Sequence, residues 1–285
     1  MSALPANNPE RLDRASYPPA AVVPLSPADT RPSPGVAAGG LVWTLVRTDF
    51  KVRYHGALSG FLWALLKPLT MFVVLVSVFS LVFDSEATYK LDLVIGLFLY
   101  DFFQDATKTG MTSLAAKSFL LTKARMPSWI LVVTSLANAA LTLLVFAAVL
   151  VAYLWMTARA PGAAALVAFA GYLVALVLIA VGISLGTSVL FLRYRDLNQI
   201  WDMAAQAGFF IAPVIYPLGV IPERFHLWLF AWPPTPVMEF SRLALVDGTL
   251  PTAAGHACLV LLAGAILGAG VLVFRQLAPR AAEHL

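Results

Sequence analysis

The sequence predicts an all-α integral membrane protein: six transmembrane helices, an N-terminal amphipathic interfacial helix, and short re-entrant helices between spans five and six. Three observations carry that reading. Of 285 residues, 60% are hydrophobic and 12% charged, and the mean hydropathy is +0.83, which leaves too little polar side chain to cover a soluble globule. Apolar runs of about 20 residues, the length of a spanning helix, recur along the chain. Lys and Arg concentrate in alternate connections.

The first element is residues 1–40, broken by Pro5, Pro9, Pro18, Pro19, Pro24, Pro27, Pro32 and Pro34 and without the apolar core of a cleavable signal peptide. It is expected to be a disordered cytoplasmic tail, and residues 41–285 the membrane domain. From Leu41 to Tyr54, Leu41, Leu45, Thr48 and Val52 share one helical face while Arg47, Lys51 and Arg53 sit toward another. That pattern predicts a helix lying along the inner leaflet.

Five stretches then reach spanning length unaided: Phe61 to Phe83, Trp129 to Met156, Ala163 to Leu192, Met203 to Ile221 and Thr252 to Phe274. A sixth needs an argument, because Leu91 to Phe103 is apolar for only about 13 residues and cannot cross ~30 Å at 1.5 Å per residue. With no Pro between Ala106 and Ala116, the helix is expected to continue through Asp101, Gln104, Asp105 and Lys108 toward Lys117. Six spans put Arg11, Arg14, Arg31, Arg47, Lys51, Arg53, Lys117, Lys123, Arg125, Arg193, Arg195, Arg275 and Arg280 on one side. Only Lys90, Arg159, Arg224 and Arg242 fall on the other. Both termini are therefore expected in the cytoplasm, and the net charge of +4 reads as a topology signal rather than a nucleic-acid surface.

Between spans five and six, Phe225 to Trp232 is apolar but too short to cross, and Pro222, Pro233, Pro234 and Pro236 bound it. Val237 to Leu245 is a second short helix in which Glu239 pairs with Arg242 one turn on. Two readings stand together: an interfacial anchor of Phe225, Trp228, Phe230 and Trp232, or a re-entrant hairpin closing the outer mouth of a pathway.

The search for chemistry is mostly negative. The sequence has no phosphate-binding G-x-x-x-x-G-K-[ST] loop, no H-E-x-x-H and no aspartate-rich metal motif, so no ATP hydrolysis and no metal site are expected in this chain. The lone Cys258 excludes an internal disulfide. Gly182, Ser184 and Gly186 spell G-x-S-x-G, with His256 in the last span as a possible base. Depth excludes the pairing, since Ser184 lies ~10 Å above the inner end of its helix and His256 ~28 Å above the inner end of its own. The glycines read instead as a close helix contact, repeated at Gly264 and Gly268. Asp101, Gln104, Asp105 and Lys108 either face a wet cavity or mark a helix end at the headgroups, with Asp105 in reach of Lys108.

The run Arg53-Tyr-His-Gly-Ala-Leu-Ser-Gly-Phe-Leu-Trp-Ala-Leu-Leu-Lys-Pro68, the stretch from Phe102-Phe103 through Leu120-Leu-Thr-Lys-Ala-Arg-Met-Pro127, and Tyr194-Arg-Asp196 with Ala212 to Pro217 resemble one family. It is the permease subunits of ABC transporters that export lipid-linked polysaccharides: O-antigen, teichoic acid and capsule. The sequence departs from that pattern at Lys67, where Asn is common, at Asp101, where Trp is frequent, and at Met126, where an aromatic is usual.

The resemblance implies that 41–285 is a permease domain of the bacterial inner membrane and not an enzyme. Two copies would line one channel, with two copies of a cytoplasmic ATPase beneath that hold ATP and Mg. Arg47, Lys51, Arg53 and the segment Leu120 to Pro127, with Lys123 and Arg125, are the expected coupling surface, with Pro127 opening the third span. A sliding glycan needs weak, repeated contacts, which aromatic rings supply. Phe72, Tyr100, Phe103, Phe209, Phe210 and Tyr216 are therefore the expected lining, kept wet by Asp101 and Asp105, and Phe225, Trp228, Trp232, Glu239 and Arg242 the expected outer gate. The alternatives are an exporter of a drug or small lipid, and a membrane enzyme acting on a lipid-linked intermediate.

Overall fold

The computed structural model describes residues 40, 42–49, 51, 60–79, 87–119, 127–157 and 160–281, and every regular element among them is helical. Residues 42–49 form a helical leading segment with Trp43 and Arg47 exposed. After it come α1 (Gly60–Phe79), α2 (Ala87–Ala116), α3 (Ser128–Ser135), α4 (Ala137–Met156), α5 (Ala163–Arg193), α6 (Leu197–Ile211), α7 (His226–Phe230), α8 (Thr235–Leu245) and α9 (Ala253–Ala281). Three stretches among the described residues are long and apolar enough to cross a membrane: Ser128–Met156, Ala163–Arg193 and Ala253–Pro279. The helix Leu66–Phe79 is apolar but shorter.

The polar run does not interrupt α2, which continues through Asp101, Asp105 and Lys108 to Ala116. The apolar stretch after Pro127 is not one rod. Thr134 and Ser135 both turn their hydroxyls back onto the Leu131 carbonyl, and Leu136 N–H bonds the Val133 carbonyl at 3.2 Å, three residues back. Such back-bonding bends helices, and here it separates α3 from α4.

α5 is the hub, packing against α9, α2 and α8. Its apolar face repeats at Phe169, Tyr172, Leu173, Leu176, Ile179 and Ala180, at helical spacing. Against α9 the backbones nearly touch: a Cβ at Gly182 would lie 2.7 Å from the Ile266 carbonyl oxygen, and one at Gly270 would overlap the Gly182 carbonyl. Only glycine permits this approach. Gly264 and Gly268, expected in that contact, face open space, and Gly270 takes their place. The expected glycine contact on α9 thus lies at a different position of that helix.

The largest departure is at the fifth predicted span. α6 begins at Leu197 and stops at Ile211, because Pro213 disfavours helical geometry at Ala212, whose φ and ψ are −65° and 142°. A single 3-10 turn stands at Leu218–Val220, and residues 212–217 are not helix at all, although they are apolar. Their exposed carbonyls are taken by side chains: Tyr89 Oη donates to Ile215 at 2.9 Å, and Arg242 donates to Pro213 and Val214 at 2.5 and 3.1 Å. Irregular backbone among apolar helices is tolerated only when satisfied in this way.

Candidate translocation groove

Three helices build a groove of about 560 Å³. α1 contributes Lys67, Pro68, Thr70, Met71 and Val74; α2 contributes Leu97, Tyr100, Asp101 and Gln104; α6 contributes Asp202, Gln206, Phe209 and Phe210. Asp101, Gln104 and Lys108 fall at i, i+3 and i+7, one stripe of α2. Two ion pairs tie this stripe to its neighbours. Lys67 Nζ meets Asp101 Oδ1 at 2.7 Å on the α1 side, and Lys108 Nζ meets both oxygens of Asp202 at 2.7 Å on the α6 side. Lys108 thus reaches across to α6. Lys67 and Asp101, where the sequence leaves the family pattern, are partners of a single pair.

The expected aromatic lining divides. Tyr100, Phe209 and Phe210 reach the groove, Phe209 edge-on to both other rings at 5.4 Å. Phe210 is 62% exposed, whereas Tyr100 is fully buried, with its hydroxyl donating to the Ala205 carbonyl across α2 and α6. Phe103 lies behind this wall, fully buried against Trp201 and Trp232. Phe72 faces a separate crevice of about 470 Å³ between α1, α2 and α4. Asp105 is half-buried on α2, outside the groove lining. Tyr216 folds back, donating to the Ile211 and Phe210 carbonyls at 2.8 and 3.2 Å. Sequence reasoning missed Lys67, Asp202 and Gln206, because proximity across three helices leaves no trace in spacing along one of them.

At the other end of the bundle, Arg242 is the anchor of the expected outer gate. It is 5% exposed and donates to the carbonyls of Asp92, Pro213 and Val214, while Glu239 Oε2 stands 3.6 Å from Nη1. A Cβ at Gly96 would come 2.5 Å from Nη2, so glycine there makes room for the guanidinium. Trp232 lies flat on Gly208 of α6, where any Cβ would overlap the indole. Phe225 and Trp228 are exposed, and Trp228 borders an apolar crevice with Cys258 and Leu262.

Of the expected coupling residues, Arg47 and Lys51 are exposed and Pro127 immediately precedes α3. Arg53, Leu120, Lys123 and Arg125 lie outside the described residues. Ser184 and His256 do not meet. His256 Nε2 is 2.8 Å from Tyr172 Oη, about three turns from Ser184 along α5, and Ser184 instead packs where Gly110 lacks a side chain. No group of three metal-ligating side chains occurs among the described residues.

The sequence is similar to known transport proteins. The O-antigen export system permease protein RfbA of Klebsiella pneumoniae is 27% identical over 248 residues, covering 86% of this chain and 95% of the relative. Its namesake from Myxococcus xanthus is 26% identical with the same coverage. The polysialic acid transport protein KpsM of Escherichia coli is 22% identical, covering 73% of this chain and 81% of that one. Residues 40–244 match the family described as ABC-2 type transporter, and the chain belongs to that family.

Proposed function

We propose that this chain is the permease subunit of an ATP-driven exporter that moves a lipid-linked polysaccharide from the cytoplasmic side across the bacterial inner membrane. The observation that carries the reading is the groove. Aromatic rings at Phe209 and Phe210 stand beside the amides of Gln104 and Gln206 and the carboxylates of Asp101 and Asp202. Rings accept the C–H faces of sugars, and amides and carboxylates accept or donate to hydroxyls, so the wall suits a polyhydroxylated chain better than a purely apolar solute. The O-antigen and polysialic acid functions of the relatives support the same substrate class.

Six crossings fit this reading: α1, α2, α3 with α4, α5, α6 and α9, with both termini inside. α6, at about 22 Å for 15 residues, falls short of a ~30 Å core, so the Arg242-held backbone after Pro213 completes the fifth crossing. α7 and α8 then form the re-entrant outer hairpin, gated by Phe225, Trp228, Trp232, Glu239 and Arg242. Two copies would bring two grooves together. Two ATPase subunits holding ATP and Mg would dock beneath, against Arg47, Lys51, Arg53, Lys123 and Arg125.

The test is thiol accessibility in a Cys258→Ala background, in the complex with its ATPase. Cysteines at Asp101, Phe209 and Phe210 are expected to react with a membrane-impermeant reagent during export, and one at Val167, exposed on the far side of α5, to stay unreactive. Unreactive groove positions in an exporting complex would overturn the assignment.

A further inference from the structure

The inner end of α2 carries a contact that the groove does not use. Lys117 directly follows α2, and its N–H still closes a turn on the Ser113 carbonyl at 3.0 Å, so its side chain leaves a helix C-terminus, where a cation is favoured. The side chain is 17% exposed, and its ammonium donates to two other segments at once. One is the Asp49 carboxylate of the leading helix, itself 24% exposed; the other is Ser135 Oγ, at 2.9 Å. Ser135 is the last residue of α3, and its hydroxyl also donates to Leu131 at the bend between α3 and α4. One cation thus joins segments 68 and 18 residues away in sequence. Leu45, one turn before Asp49, packs on the core beside it.

We infer that Lys117 is a positioning residue for export, which with Asp49 and Ser135 makes the leading helix, the inner end of α2 and α3 one moving body. This rests on the reading of the chain as an ATPase-driven permease. A largely buried ion pair resists separation, since removing either partner strands a desolvated charge. The bend at Leu136, where the helical ladder is already interrupted, yields first. A push on the leading helix or on Pro127 therefore swings α3 about Leu136 and drags α2 with it. Asp101, Gln104 and Lys108 ride on the same rigid α2, so the displacement reaches the groove.

The test uses the complex with its ATPase in phosphatidylethanolamine–phosphatidylglycerol vesicles loaded with a lipid-linked O-antigen polysaccharide, and reads polysaccharide exported per ATP hydrolysed. Asp49→Asn and Lys117→Gln are expected to retain the ATPase and its turnover while the export ratio falls by about ten-fold, the scale of a coupling residue. The exchange Asp49→Lys with Lys117→Asp is expected to restore most of that ratio, which loss of a merely packing contact would not do. As a second measurement, Asp49→Cys and Lys117→Cys in a Cys258→Ala background are joined by a bifunctional thiol linker, and export should survive the link. Single variants with the unmodified ratio, an exchange variant as poor as the singles, or a link that stops export would each overturn the inference. Failure of the unaltered chain to hold any ATPase would instead overturn the permease reading itself.

Discussion

α2 and α5 are both central helices, yet they are held by opposite means. α5 is apolar almost throughout and is fixed by close approach: Gly182 lets α9 touch its backbone, and Ser184 fills the place vacated by Gly110. α2 carries four charged residues after Lys90, and cross-helix polar contacts fix it. Lys67 and Asp202 grip its groove face, Trp201 donates to the buried Thr107 hydroxyl at 3.1 Å, and Arg242 caps the Asp92 carbonyl at the far end. Shape fixes the position of α5, and in lipid shape has no hydrophobic competitor. Polar and charged contacts, by contrast, fix the position of α2.

Removal of Arg242 tests the polar side of that contrast most severely. Arg242→Met would leave Glu239 with an uncompensated buried charge and the Pro213 and Val214 carbonyls without donors. The expected loss is about 3–5 kcal/mol, as for one partner taken from a buried pair. Lys in its place should not restore it, because one ammonium cannot reproduce a fork that reaches three carbonyls. Thermal unfolding in detergent measures both; near-unaltered stability of Arg242→Met would show that 212–216 stands without its clamp.

The steric side is tested next. Gly270→Ala puts a methyl into the Gly182 carbonyl, and because backbone rather than a side-chain tip is in the way, the expected cost is about 3 kcal/mol. Gly264→Ala and Gly268→Ala, with open space around them, should stay within about 0.5 kcal/mol. Equal losses at all three glycines would mean that α9 meets α5 in another register.

These two sites also show what the sequence made legible. The spans α3 with α4, α5 and α9 follow from hydropathy alone, since a long apolar run has no other soluble solution. The continuation of α2 through its charges followed from the absence of proline. The end of α6 did not follow, because the apolar run after Ile211 mimics a continuing span and outweighed the signal of Pro213. Gly270 was overlooked since spacing gives a repeat but not the rotation of a helix about its axis. In the groove, Asp101 stands out in the sequence because a carboxylate within an expected span is costly. Its partner Lys67 is 34 residues away on another helix, and only the packing of α1 on α2 brings them together.

That pair should matter less to stability than either Arg242 or Gly270. Lys67 is 72% exposed and Asp101 25%, so solvent screens the attraction, and a double-mutant cycle with Lys67→Ala and Asp101→Ala should give a coupling of about 1 kcal/mol or less. Export is expected to respond far more than stability, because the pair stands in the groove wall beside Phe210 and Gln104, where on the proposed reading a passing solute would compete for the same charges. Lys67→Ala alone leaves the Asp101 carboxylate available as an extra acceptor for hydroxyls. It should therefore slow release and lower the export rate several-fold, while the double variant, with neither charge, should be affected less. Melting temperature and export rate measured on the four variants separate the two roles. If the rate tracks melting temperature across the set, the pair only fastens α1 to α2. If the rate falls in Lys67→Ala while the melting temperature holds, the exchange of charges between protein and solute belongs to transport.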